Sequence, residues 1–406
     1  MTASDALLAH GFDLKNLSDA FYADPYPTYR ALREYAPVKW LGERTVFLSR
    51  YADLASVYHD RETFSSDKKA EFAPKFGDTS RLFRHHTTSL VFNDAPYHTR
   101  VRRTILGGLI PRALSPLEPK LIALVERLLD KAGSKGAIDA IADFAAAIPV
   151  EVIGDLLCVP DSDRGPLRGW SLAILNALEP VLTPDAFRRG EDSLAGFHAC
   201  LRDLLADRRR HPGNPDHDVL TRLIQSDGES LSDDELIENC VFLLNAGHET
   251  TSNLIGNAIE LFARFPDQRA RLIDDASLLP SAVEEVLRYE SSNQLGNRLT
   301  SRETTIHGTA LPANCFVTLC IGAANRDPEA FERADKFDIG RNPNRHLAFA
   351  AGPHQCAGMN LARMEGRIAI GRFLARFPNY ELAAPSARAR RARFRGFPAL
   401  PIRLRR

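Results

Sequence analysis

The chain has no surplus of either charge: Lys+Arg and Asp+Glu each number 52 in 406 residues. A general attraction to nucleic acid or to an acidic membrane surface is therefore excluded as an organising feature. Six cysteines (158, 200, 240, 315, 320 and 356) form no CxxC pair and no short zinc spacing, which argues against a disulfide scaffold or a zinc module. Five of them read as ordinary buried thiols in a reducing compartment. No run approaches the ~18 apolar residues of a spanning helix. The N-terminus lacks a basic segment followed by a long apolar one. A soluble, cytoplasmic protein with no membrane or nucleic-acid partner is the expectation. No Gly-x-Gly-x-x-Gly occurs, so no flavin or nicotinamide fingerprint is present, and no internal repeat is found. The length is nonetheless ample for a large buried core.

What is present is concentrated near the C-terminus, in Phe349-Ala-Ala-Gly352-Pro-His354-Gln-Cys356-Ala-Gly358, followed by a helix-like segment. A thiol just before a helix N-terminus faces unpaired N–H groups and the positive end of the dipole, which lower its pKa. Gly352 and Gly358 let the backbone approach a flat ligand where a β-carbon would collide. Phe349 is placed to shield the sulfur from water. These are the needs of a protected, iron-ligating thiolate; a buried cysteine in a turn is the plainer alternative.

Upstream, Asp24-Pro-Tyr-Pro27 is a turn, with Pro27 opening a helix over 28–35. Two β-rich runs, 38–41 and 45–48, read as a hairpin, and 51–59 as a short amphipathic helix. Residues 65–92 have no clean period and read as a long loop, functional or mobile. His98 and Arg102 share a helix face and could hold an anionic group at two points, although a solvated basic face has the same pattern. The stretch 116–225 is helical in pattern (117–132, 144–157, 169–178, 184–208, 218–225). Ser232-Asp-Asp-Glu235 is a capping box, and its helix meets no stop before Pro266. Mid-helix lies Asn245-Ala246-Gly247-His248-Glu249-Thr250-Thr251. Gly247 costs ~1 kcal/mol relative to Ala. A threonine hydroxyl there can bond the Ala246 carbonyl and bend the helix, making a groove for a small diatomic, or merely a tolerated irregularity. Glu285 and Arg288 are three apart on 281–289, a spacing common in surface pairs. Beyond Arg298, β-rich runs at 300–307 and 316–320 precede the cysteine loop, and the helix after it runs to about residue 377. The C-terminal arginines 388, 390, 391, 393 and 395 read as a solvated basic face.

Four motifs in this order resemble the cytochrome P-450 family of haem-thiolate monooxygenases, from about residue 24 to the end: Phe349/Gly352/Cys356/Gly358, Ala246-Gly247-His248-Glu249-Thr250, Glu285/Arg288, and the basic positions His98, Arg102 and Arg298. The resemblance implies one mainly α domain with minor β over 1–406, its long central helix crossing over the haem. It implies a loose lead-in over 1–23, a pocket roof over 65–92, a lid around 170–178 and 186–197, and the haem-thiolate loop with its following helix over 346–365. The cofactor would be haem b, with Cys356 on iron and His98, Arg102, Arg298 and His354 on the propionates. Phe349, Gly352, Ala246 and Gly247 would line the cofactor site. Thr250 and Glu249 would be the catalytic alcohol and acid, with Thr251 as an alternative alcohol, and Glu285–Arg288 a structural pair. Electrons for O2 activation would come from a ferredoxin and its reductase, docking over Arg100, Arg103 and Arg363 of a monomer.

Two departures concern the small-molecule substrate. Ser292-Asn293-Gln294 stands where the family often has Pro-Val, and Asn245 where it usually has an aliphatic residue. A buried amide without a partner costs ~1–3 kcal/mol. A polar-substituted substrate, aromatic or terpenoid, anchored by Asn245 and Asn293 beside Phe242 is one reading; satisfaction of backbone groups is the other. A haem-based ligand sensor and a peroxide-driven enzyme remain as alternatives in function. The sensor has no use for Glu249 and Thr250, and the peroxide-driven class more often lacks that pair.

Overall fold

The Ser232 capping box forms as its residue types require. The Glu235 N–H donates to Ser232 Oγ at 3.2 Å, and the Ser232 N–H donates to Glu235 Oε2 at 2.8 Å. One unbroken helix, Asp233–Arg264, follows, and Pro266 then opens the next, Pro266–Asp274. At ~1.5 Å per residue the first is ~48 Å long. A surface helix keeps one polar face; this one is buried along most of its length from Leu236 to Phe262. It is the axis on which Ala147–Leu156, Leu167–Asn176 and Met359–Arg376 pack.

The computed structural model describes residues 3–215, 218–225 and 231–405; residues 1 and 2 of the expected lead-in lie outside these. The helical pattern of 116–225 appears as Leu117–Lys135, Ala147–Leu156, Leu167–Asn176, Pro184–Arg210 and Val219–Ile224. The β part is small. Val38–Gly42 and Thr45–Leu48 form the expected antiparallel hairpin. Thr45–Leu48 then pairs parallel with Phe316–Cys320, which runs antiparallel to Leu295–Thr300 in the register Leu295↔Cys320. Phe64–Ser65 closes the edge. This sheet carries Arg298 toward the segment that precedes the cysteine loop. Among the described residues no helix is long and apolar enough to cross a membrane.

Two expectations are corrected. The lead-in is not loose: it forms Ala3–His10 and Asp19–Ala23, and Phe12 and Phe21 are buried against the rings of Phe47 and Tyr29. The span 65–92 is not an irregular loop but contains the helices Lys69–Phe76 and Arg81–Thr88. Both helices are only eight residues long, and their buried face is carried partly by His85 and His86, which a sequence reading counts as polar; Phe72, Phe76 and Phe92 pack on His86.

Glu285 and Arg288, on Leu279–Tyr289, are fully buried and paired at 2.8 Å. Every remaining polar atom has work. Arg288 donates to the carbonyls of Asn325, Ala334 and Lys336. Glu285 accepts from the Asp338 N–H, from Arg341 and from Asn344. Breaking one partner of such a pair leaves the other charge buried and unmet, at a cost of ~3–5 kcal/mol. Glu285→Ala should lose about that much stability in denaturant titration, far above the ~0–1 kcal/mol of a surface pair.

Candidate active site

The cysteine loop is built on the meander that Arg288 holds. The Cys356 N–H donates to Phe349 O at 2.8 Å, closing the loop on its own first residue. Gly352 has φ +67°, and a β-carbon there would lie 2.1 Å from the Tyr58 carbonyl oxygen. The protein's own backbone therefore demands a glycine there. Gly358 differs: it caps Met359–Arg376, and a β-carbon on it meets nothing within 4 Å. Phe349 is buried, with the Arg363 guanidinium 4.9 Å over its ring. Burial pushes the Cys356 thiol up, while the Gly358 N–H and the charges of Arg102 and Arg363 pull it down. The net direction is upward, which corrects the expectation from the helix terminus alone. A coordinated metal ion deprotonates such a thiol outright.

Beside the loop, four basic side chains converge from three parts of the chain. The rings of His98 and His354 lie 3.9 Å apart. Arg102 donates to Gln355 O at 2.7 Å, and Arg298 to Asn297 O at 2.8 Å. Burial first, then the charges of His354 and Arg102, push His98 down to about 4, with Asp94 opposing. Asp94 already accepts from Ser65 and from the Ser66 N–H. His98 Nε2 is buried with no partner among the described residues. Two arginines and two histidines held back from protonation, one with a buried ring nitrogen left unpartnered, fit an anion with more than one carboxylate. Haem, with two propionates and an iron for Cys356, meets both halves of that requirement.

Across the central helix, Thr250 Oγ1 donates to Ala246 O at 2.6 Å, as its place in the motif leads one to expect. Gly247 has a packing role of its own. A β-carbon there would come 1.9 Å from Ile153 Cδ1, so the glycine admits the helix Ala147–Leu156. Glu249 is buried and its pKa rises to about 7, burial raising it and Arg391 opposing. Arg391 donates to Oε1, while Oε2 has no partner among the described residues. The acid expected to relay protons from solvent is thus clamped inside the protein.

Arg391 in turn reaches Glu179 at 3.0 Å. Arg388 and Arg395 pair with buried Glu290. The C-terminal arginine run is therefore largely interior, not a solvated face; Arg390 is the one left well exposed. Its partners are glutamates scattered through the chain, which local spacing cannot reveal. Glu365 was not anticipated. It is buried beside the central helix, hydrogen-bonded with Thr251, and burial raises its pKa to about 8. An acidic residue among the inward positions Leu361, Met364 and Glu365 is the sequence signal for it.

The polar positions proposed for substrate part company. Asn245 is 2 % exposed, and neither amide atom has a partner among the described residues. Asn293 instead faces Arg393 O and Leu295 O, 3.2 Å each, to which its amide donates once nitrogen and oxygen exchange places, and so holds the C-terminal segment. Gln294 is likewise taken by backbone, its Nε2 donating to Ser291 O. Phe242 is half-buried against the core. Of the arginines expected to receive a redox partner, Arg100 pairs with Glu235 and Arg363 with Glu284, whereas Arg103 is exposed.

The family model described as Cytochrome P450 matches residues 171–380. The "Putative cytochrome P450 123" of Mycobacterium tuberculosis is 35% identical over 388 residues, covering 94% of each chain. The "Vitamin D(3) 25-hydroxylase" of Pseudonocardia autotrophica is 36% identical over 391 residues, covering 93% of each. The crystal structure of P450BioI in complex with hexadec-9Z-enoic acid ligated acyl carrier protein superposes with a TM-score of 0.90 at 32% identity, covering 95% of this chain and 100% of that one.

The two raised acids make a pH prediction. Folding favours their neutral forms, so their contribution is complete below the ordinary 4.5 and is lost as pH rises through about 7 for Glu249 and about 8 for Glu365. Glu365→Gln should flatten the fall of Tm with pH between about pH 5 and about pH 9. Thermal unfolding across that range checks it; an unchanged slope counts against a neutral Glu365.

Proposed function

This chain belongs to the cytochrome P450 family, whose members are haem b monooxygenases, and from that premise we propose that Cys356 is its iron ligand and that it oxidises a small organic molecule carrying polar groups. The observation that carries this is the pairing of a Gly-capped thiol loop with a cation cluster whose buried His98 Nε2 lacks a partner. When bound, the haem supplies oxygen binding, electron storage and oxygen transfer, chemistry that belongs to the cofactor.

The chain supplies position and protons. His98, Arg102, Arg298 and His354 hold the propionates by charge-assisted bonds. Phe349 keeps water from the sulfur, Gly352 fixes the turn that presents it, and Ala246 and Gly247 set the opposing wall. Thr250 holds a proton at Oγ1, now directed to Ala246 O, and can redirect it on a simple side-chain rotation. Glu249, titrating near neutrality, can both give and take a proton at Oε2, while Arg391 keeps Oε1 in place. Asn245, with donor and acceptor both unmet, is the side chain best suited to bond a polar group of the substrate. A ferredoxin with its reductase is the proposed electron source, and the enzyme works as a monomer.

The reduced protein under carbon monoxide should show a Soret band shifted far to the red, and Cys356→Ser should abolish it. A band typical of histidine-ligated haem in the native protein would sink the assignment. Glu249→Gln should lower turnover ~100-fold, the lower end expected for loss of a positioned proton donor. It should leave ligand affinity unchanged; equal turnover would remove Glu249 from the proton path. Asn245→Leu should weaken a polar-substituted ligand about tenfold, read from spectral titration; unchanged affinity would take Asn245 out of the pocket.

A further inference from the structure

A second group of buried cations lies on the flank of the site, and the role of none but Arg391 is explained above. Lys68 and Lys75 come from the start and end of Lys69–Phe76, His86 from Arg81–Thr88, and Arg391 and Arg393 from the C-terminal segment. The nearby carboxylates are already engaged. Glu71 pairs with Lys68 at 3.0 Å. Glu179 pairs with Arg391 and also accepts from the N–H groups of Ala392 and Arg393. Lys75 and Arg393 are left with no carboxylate in ion-pairing range among the described residues.

Their remaining bonds are to neutral groups. Lys75 Nζ donates to Glu179 O at 2.8 Å. Arg393 donates to Leu295 O at 3.0 Å and to Asn297 Oδ1 at 2.5 Å, and its Nε has no partner. His86, 2 % exposed, has no partner at Nε2. The three feel one another. Burial first and then Arg393 push Lys75 down to about 8. Burial, His85, Lys75 and Arg393 push His86 well down. Burial also lowers Arg393, with Glu179 and Glu71 opposing. Buried charges are ordinarily paired, and Lys75 and Arg393 are not.

The group's position says whose anion would pair with them. Arg393 is bonded to the strand that carries Arg298, and its carbonyl receives the amide of Asn293. Through Arg391 the same segment reaches Glu249, the acid next to Thr250. The group therefore lies between Glu249 on the central helix and the strand Leu295–Thr300, beside the residues assigned above to the site. Donors stand ready on three elements: a free proton position on Lys75 Nζ, Arg393 Nε–H and His86 Nε2.

We infer that Lys75, Arg393 and His86 form a subsite for a carboxylate of the substrate, so that the molecule oxidised is an organic acid held by its anionic end. This rests on the monooxygenase reading for the chemistry but not for the binding. Arg393 and Lys75 supply charge-assisted bonds, and His86 in its neutral form supplies a third donor.

The test uses the haem-loaded protein and matched pairs that differ only in charge: dodecanoate with methyl dodecanoate, and biphenyl-4-carboxylate with its methyl ester. Binding is read by the haem absorption shift and, independently of the haem, by the shift of Tm. At least one acid should bind about tenfold tighter than its ester at neutral pH. Arg393→Gln and Lys75→Gln should each remove most of that preference and leave ester affinity unchanged. Lys75→Gln keeps the result readable if the buried Arg393 variant fails to fold. Equal binding of acid and ester, a preference that survives both substitutions, or no binding of either acid by either readout overturns the inference. A normal red-shifted carbon monoxide band with no acid preference would sink this subsite alone. An acid preference in Tm without that band would sink the thiolate assignment and leave the subsite standing.

Discussion

The structure hangs on a buried ion pair. Glu285 and Arg288 sit at zero exposure, and between them they fix three carbonyls, one N–H and two side chains of the segment 325–344. That segment has almost no regular structure, so it has no hydrogen-bond ladder of its own to hold it. Its shape is borrowed from the guanidinium and carboxylate, which satisfy its polar groups in place of water. The cysteine loop begins where this segment ends. Leu347 N–H bonds Asn325 Oδ1, and Asn325 is itself held by Arg288 and Ser291. The position of Cys356 is therefore set by a helix on the far side of the meander.

The same logic governs the distal side, with less complete pairing. Glu249 Oε2 and Glu365 Oε1 have no partner among the described residues, and Lys75 and Arg393 have no carboxylate in ion-pairing range among them. The result is a set of groups poised away from their ordinary pKa: Glu249 near neutrality, Glu365 above it, Lys75 well below its usual value. Arg391 connects two of these regions because one guanidinium serves both Glu179 and Glu249. Glu179 lies in the connection between Leu167–Asn176 and Pro184–Arg210, so Arg391 ties Glu249 to that connection.

Much of this was legible from local pattern. The capping box, the long helix, the hairpin, the helices between 116 and 225 and the Thr250–Ala246 bond all depend on residues within a few positions of each other, and all appear. The family was legible too, because its motifs are short and ordered. The places where local reading fell short share a cause. The helices within 65–92 pack through Phe72 and Phe76 on His86, and each is only eight residues long, too short for its period to stand out from the sequence. The C-terminal arginines look solvated until the glutamates that face them are known, and those are more than a hundred residues away.

The sequence by itself determined the elements, the order of the motifs and the residue types at the thiol loop, because each rests on backbone hydrogen bonding and spacing inside one segment. Tertiary structure alone decided what each glycine and amide is for. Gly352 answers to Tyr58, Gly247 to Ile153 and Asn293 to the backbone at 393, while Asn245 answers to nothing among the described residues. The physical reason is that a steric or hydrogen-bonding demand is made by whatever lies opposite, and in a packed interior that neighbour comes from a distant part of the chain.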